Sequence, residues 1–252
     1  MFRFNSEISR MFSSALIVSK KTASFLRKNY INDAKIICSK KKDIKTEADM
    51  ASEKLIISNL KKFRVHIISE ESAKSSDDCF EKEMCWIIDP LDGTLNFSRG
   101  FNIAAISIGL WLKGKPIFGV ICDVYTGKIY SGVFGKSANL NGLKIKTSKI
   151  SKVREAVFAT GFPNARSYED EPLIKFAKSV QKYKKIRMLG SASMMLAQVA
   201  AGHFDIYEEE NIYLWDVAAG LAIVKAAGGS YTLKKCHKPF VYNVRATNGI
   251  LK

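Results

Sequence analysis

The sequence predicts a mixed protein of helices and sheets, α+β in its first half and α/β in its second. Three observations predict it. Apolar residues near the N-terminus recur at the helical period. Beyond Gly100, three runs rich in branched and aromatic residues follow one another across short glycine turns, and beyond residue 157 helical and extended patterns alternate.

Taking the elements in order, Ile8, Met11, Phe12, Ala15, Leu16, Ala23 and Leu26 share one helical face, so an amphipathic helix is expected from Asn5 to about Lys28. A second helix is expected over residues 46–61, with Thr46 as its cap, Asp49 in its first turn, and Met50, Leu55, Ile56 and Leu60 toward a core. Residues 65–68 and 84–88 have strand composition, and each run ends at an acid. Residues 103–112, 117–123 and 128–134, separated by turns at 113–115 and 125–127, predict an antiparallel meander. Residues 139–142 form a turn before a lysine-rich connector, and residues 157–160 form the strand that opens the second half. A helix over 192–202, a short strand over 204–207 and a helix over 215–227 closed by Gly228 and Gly229 complete the pattern. Repeats and low-complexity linkers are absent from the sequence.

At 252 residues and 47% hydrophobic content the chain can bury a substantial core. It contains no apolar run of the about 18 residues a membrane span needs, and the apolar stretch at 15–18 is too short for a signal sequence, so a cytoplasmic protein is expected. The five cysteines (Cys38, Cys79, Cys85, Cys122 and Cys236) make no CxxC pair and are expected to be reduced. The net charge of +16 raises the question of nucleic acid. Lysine is spread along the chain, with short runs at 40–42 and 184–185, and no aromatic-interleaved basic motif accompanies it. A solvated basic surface explains this, and such a surface also attracts anionic substrates.

The chemistry is acidic. His66, His203 and His237 have no ligand-like spacing, and no G-x-S-x-G elbow exists, so zinc and serine-hydrolase sites are not supported. The segment Trp86-Ile87-Ile88-Asp89-Pro90-Leu91-Asp92-Gly93-Thr94 is instead a strand expected to break at Pro90 and to deliver two carboxylates on a tight loop. Asp89 and Asp92 can share a hard cation, the Leu91 carbonyl is a neutral oxygen ligand, and Gly93 and Thr94 would open a helix suited to phosphate. Alone, such a turn is equally ordinary surface chemistry. Glu70 and Glu71 follow a strand as Asp89 does, and Asp216 opens an apolar helix where a simple capping role is the alternative. Asp49 has the same alternative, as a first-turn acid favoured by the helix dipole.

Asp89-Pro90-Leu91-Asp92-Gly93-Thr94-Leu95-Asn96-Phe97, the upstream Ser69-Glu70-Glu71-Ser72, and Trp215-Asp216-Val217-Ala218-Ala219-Gly220 with Ala226-Ala227-Gly228-Gly229 resemble the three signatures of the inositol monophosphatase family, in the same order. Thr46-Glu47-Ala48-Asp49 extends the resemblance over nearly the whole chain. The resemblance implies a layered αβαβα sandwich. A large antiparallel sheet would lie in an N-terminal half (1–145) carrying the metal-binding loops, and a smaller mixed sheet in a C-terminal half (146–252) that completes the active site within one compact unit. It implies a Mg²⁺-dependent, lithium-sensitive phosphatase with two to three ions, usually a homodimer.

Carried over position by position, Glu70, Asp89 and the Leu91 carbonyl would bind a first ion, and Asp89, Asp92 and Asp216 a second. Asp49 with Glu70 would hold a weaker third. Glu70 and Thr94 would orient the attacking water. Leu91, Asp92, Gly93, Thr94 and Asp216 would border the phosphate, and Gly190, Ser191, Ala192 and Glu209 would contact the alcohol part of the substrate. Leu95 stands where many relatives have threonine, and Ser69 where glycine is frequent; neither removes a ligand. The expected substrate is inositol monophosphate or a similar polyol phosphate. The alternatives are fructose-1,6-bisphosphatase, nucleotide 3′-phosphatase or histidinol-phosphatase activity, or a binding role with RNA or the transcription machinery, with which some bacterial relatives associate.

Overall fold

The structure, a computed structural model, describes residues 5–31, 35–40, 43–74, 80–162 and 169–251. Cys79 and most of the 40–42 lysine run lie outside the described residues.

The chain begins with α1 (Ser6–Asn29), a short hairpin of β1 (Ile36–Lys40) and β2 (Asp43–Thr46), and α2 (Glu47–Leu60). It continues through β3 (His66–Ser69), β4 (Met84–Asp92), α3 (Thr94–Ser98), β5 (Ala105–Leu112), β6 (Lys115–Asp123), β7 (Ile129–Val133), β8 (Ala138–Leu140) and β9 (Leu143–Ile145). The second half holds β10 (Val157–Ala159), α4 (Asp170–Val180), β11 (Lys185–Arg187), α5 (Ala192–Ala200), β12 (Ile206–Tyr213), α6 (Leu214–Ala226), β13 (Ser230–Lys235) and β14 (Val241–Thr247).

Strands β3 to β9 make one seven-stranded sheet in chain order, antiparallel except for the parallel β3–β4 pair. A second sheet of five strands has the order β11-β10-β12-β14-β13 and is mixed. Apolar residues of α1 and α2 (Ile8, Met11, Leu26, Ile56, Leu60) cover one face of the large sheet against Trp86, Ile108 and Phe118. Helices α5 and α6 lie between the sheets and pack on both, and Phe176 and Val180 of α4 cover the outer face of the small sheet. The layers are therefore α, β, α, β, α.

Helix α6 sits unusually low on the large sheet. Gly109, Gly119 and Gly132 are cross-strand partners on β5, β6 and β7, and a β-carbon on Gly119 or Gly132 would overlap Ala219 or Ile223 of the helix backbone. Trp111 also donates its indole N–H to the Ala218 carbonyl at 3.2 Å.

Four expectations change. Helix α2 faces the core through Ala48, Ser52, Ile56 and Leu60, with Met50 exposed and Leu55 only half-buried, because the Ser52 hydroxyl donates to the Pro90 carbonyl and turns that face onto β4. Strand β4 does not break at Pro90. It runs on to Asp92 through a register shift against β5, where proline's missing N–H costs no ladder bond. Asn141 and Gly142 both take positive φ (51° and 83°), so the 139–142 turn is the tip of a β8–β9 hairpin. The short strand at 204–207 is the longer β12, which continues through Glu208, Glu209 and Glu210.

Candidate active site

The first two strands of the large sheet, β3 at its edge and β4 beside it, lead into acids. The parallel β3–β4 pairing sets Ser69 beside Ile88, and the Glu70 N–H donates to the Ile88 carbonyl at 3.2 Å, so Glu70, just past the end of β3, lies beside Asp89 on β4 and their side chains hydrogen-bond. Asp89 is buried and folds back over the bulge, accepting the Leu91 N–H at 2.9 Å. Asp216 arrives from the other half as the third residue of α6, where it accepts a bond from the Tyr213 backbone at the helix cap. Ser107, the cross-strand partner of Asp89, stands 3.5 Å from the Trp215 carbonyl and ties the helix start to the strand end. Among the described residues, ligand oxygens of Glu70, Asp89 and Asp216 all lie within 4.8 Å of one another.

Two further acids border this triad. Asp92 accepts the Ser191 hydroxyl at 2.7 Å and the Ser193 N–H at 2.6 Å, both from the start of α5. Asp49, the third residue of α2, reaches back to the Thr46 N–H at 2.7 Å and accepts the Thr94 hydroxyl at 2.8 Å. The Thr94 oxygen also stands 2.9 Å from the Leu91 carbonyl. Glu71 turns away from the triad and pairs with Lys45.

Gly93 caps α3 at φ +88°, and a β-carbon there would meet the Ile103 carbonyl oxygen at 2.9 Å and that of Gly190 at 3.3 Å. This close approach places Gly190, Ser191 and Ala192 beside the loop that carries Asp92, Gly93 and Thr94. Asn96 holds it there, donating to the Leu189 carbonyl at 2.7 Å and the Ile103 carbonyl at 3.0 Å. Glu209 is buried on β12 and accepts the Tyr207 hydroxyl.

The structure therefore gathers Glu70, Asp89 and Asp216 into one cluster, links Leu91, Thr94 and Asp49 to Asp89 through successive hydrogen bonds, and holds Asp92 close enough for its charge to act on all three acids. The sequence alone does not single out Ser193, Asn96 or Tyr207. For Ser193, the serine-rich start of the predicted helix at 192 was the available signal.

Burial, then the charges of Glu71 and Asp49, pushes the Glu70 carboxyl up to about 8. Asp89 is held well above the usual carboxylate range by burial and then by Glu70, Asp92 and Asp216. Burial and then Glu70, Asp92 and Glu209 do the same to Asp216. Burial raises Asp92 only to about 6, because the Ser191 and Ser193 hydrogen bonds pull it back. Asp49 is raised by burial against its bonds from Thr46 and Thr94. Carboxylates that repel one another in a buried cleft, and offer only hard oxygen donors, fit Mg²⁺. No helix among the described residues is long and apolar enough to cross a membrane.

The sequence model of the inositol monophosphatase family matches residues 8–250. The chain is 36% identical over 222 residues to inositol monophosphatase 2 of Solanum lycopersicum, covering 85% of this chain and 84% of the relative. It is 33% identical over 224 residues to the Nus factor SuhB of Escherichia coli K12, covering 87% and 83%. The structure of an inositol monophosphatase from Anabaena superimposes with a TM-score of 0.82 at 30% identity, covering 97% of this chain and 93% of that one.

Proposed function

The chain belongs to the inositol monophosphatase family, and on that premise we propose that it is a Mg²⁺-dependent hydrolase of inositol monophosphate or a similar small polyol phosphate. The observation that carries this is the convergence of Glu70, Asp89 and Asp216 within 4.8 Å. Glu70, Asp89 and the Leu91 carbonyl would hold one ion, Asp89, Asp92 and Asp216 a second, and Asp49 with Glu70 a third. When bound, Mg²⁺ neutralises phosphoryl charge and makes a bound water acidic enough to attack.

The chain's own residues do the rest. The Thr94 hydroxyl donates to Asp49, which leaves its oxygen lone pair for a water, and Thr94 and Glu70 would together orient the attacking water. Gly93 and Thr94 present backbone N–H groups to the phosphate. Ser191 and Ser193 keep Asp92 aimed at the cleft. Gly190, Ser191, Ala192 and Glu209 receive the alcohol. Lithium inhibition and a homodimer follow from the same resemblance.

The test is phosphate release from inositol 1-phosphate, fructose 1,6-bisphosphate, phosphoadenosine phosphate and histidinol phosphate, with and without Mg²⁺, for the wild type and Asp216→Asn. Mg²⁺-dependent turnover lost in the variant supports the site, and the preferred substrate selects the branch. No turnover on any of the four with Mg²⁺ present would overturn the proposal. The +16 charge and the similarity to a Nus factor favour a second role in RNA or transcription complexes. RNA affinity that falls steeply with salt and survives Asp216→Asn would support it.

A further inference from the structure

We propose that Tyr207 is a positioning residue: its hydroxyl holds the Glu209 carboxylate in the orientation that selects polyol phosphates over phosphate esters without neighbouring hydroxyls. The inference rests on the assignment of Glu209 to the alcohol part of the substrate.

Tyr207 and Glu209 are two residues apart on β12 and so share one face of the strand. That face looks toward the middle helices, since Tyr207 packs with residues of α5 and α6 while its neighbour Ile206 packs on the opposite side. The Tyr207 ring is fully buried, and its hydroxyl donates to Glu209 Oε2. Against the other carboxylate oxygen lies Gly161, where a β-carbon would overlap Glu209 Oε1. Glu209 is thus gripped between a phenol on one side and bare backbone on the other.

The strand itself adds a third constraint. The register between β12 and β14 shifts just after Glu209, and Asn211 takes φ +59°, so the strand's regular alternation ends at this side chain. Both fixed walls face the same group. An ionised carboxylate only accepts hydrogen bonds, so what it recognises must donate, as the hydroxyls of a polyol do. A buried phenol needs some acceptor. That it uses a carboxylate of the site, and not a backbone carbonyl, is what links the core to substrate choice.

The test compares the wild type, Tyr207→Phe and Glu209→Gln on inositol 1-phosphate and on 4-nitrophenyl phosphate, both at saturating Mg²⁺. Tyr207→Phe is expected to raise KM for inositol 1-phosphate about tenfold, the loss of one hydrogen bond to a charged group, with kcat nearly unchanged. Its kcat/KM on 4-nitrophenyl phosphate should stay within about twofold of the wild type, since that ester offers Glu209 no hydroxyl to lose. Equal losses on both substrates, or no loss on either, would overturn the role of Tyr207. A wild type with no preference for inositol 1-phosphate, and a Glu209→Gln variant equal to it, would instead overturn the assignment of Glu209 and the inference with it. If Tyr207→Phe does not fold, Gly161→Ala displaces the same carboxylate from the opposite wall. It should then produce the same selective rise in KM, and an unchanged KM would sink the proposal.

Discussion

The Thr94 hydroxyl reaches Asp49, a residue 45 positions earlier in the chain, at 2.8 Å, and the same oxygen stands 2.9 Å from the Leu91 carbonyl. A hydroxyl has one proton, so it serves one of these acceptors at a time. With the Leu91 carbonyl engaged by a cation, as proposed, the proton would go to Asp49 and the Thr94 lone pair would be left for a water. Thr94→Val, which keeps the shape and removes the hydroxyl, should lower kcat about 10²-fold or more. Thr94→Ser should retain most activity. Steady-state kinetics at saturating Mg²⁺ checks both, and a Thr94→Val enzyme with wild-type kcat would contradict the water-orienting role.

Protons and Mg²⁺ compete for the same oxygens. Glu70 at about 8 and Asp92 at about 6 both lie above the ordinary carboxylate range, so the folded metal-free protein holds protons that the unfolded chain, with carboxyls near pKa 4, has released. The sign follows from linkage. The protonated folded groups contribute stability at pH below about 4, and that contribution is lost as pH rises through about 6 and then about 8. The metal-free protein should therefore melt at a lower temperature at pH 8.5 than at pH 5.5. Mg²⁺ should raise the melting temperature more at the higher pH, with protons released on binding. Thermal melts in EDTA and in excess Mg²⁺ across this range measure it, and a Mg²⁺ shift independent of pH would contradict it.

Ser191 has two tasks, since it caps α5 by accepting the Met194 N–H at 3.2 Å and donates to Asp92. Ser191→Ala should cost about 1 kcal/mol of stability for the cap and weaken Mg²⁺ binding about tenfold or more through a less constrained Asp92. Chemical denaturation and Mg²⁺ titration read the two effects apart. Full Mg²⁺ affinity with lowered stability would leave Ser191 as a cap alone.

The elements legible in the sequence were those whose signal is local. The meander announced itself through branched residues and glycine turns, and α1 through its apolar stripe capped by Asn5, whose side chain accepts the Ile8 N–H at 2.9 Å. Of strand β12 only the start was legible, as the short strand over 204–207, and its continuation was hidden because Glu208 and Glu210 look like a solvated turn. In the fold, Glu208 pairs with Arg245 at 2.8 Å and Glu209 is buried against Tyr207. Strand β13 escaped notice because it ends in Lys234 and Lys235 at a sheet edge, where charge is tolerated on both faces.

The site divides the same way. Asp89 and Asp92 sit in one short motif, whereas bringing Glu70 and Asp216 to them depends on strand pairing and on the seating of α6. From sequence, only the family resemblance joined them. Asn96 lay inside the motif, but its partners Leu189 and Ile103 are set by tertiary contact, and no spacing pattern reveals that. The same is true of the Ser193 N–H on Asp92.

The glycine row of Gly109, Gly119 and Gly132 works as a spacer of zero thickness. Helix α6 rests on bare sheet backbone there, so the height of Asp216 beside Asp89 is set by atoms that are missing. One methyl group added at Gly119 would act as a shim under the helix, and lifting it by more than the roughly 0.2 Å tolerance of a metal–ligand distance would misalign the site. The tolerances of the catalytic centre are thus machined into the middle of a sheet, at positions no substrate ever touches. A screen for lost activity should therefore recover Gly119 and Gly132 together with the acids.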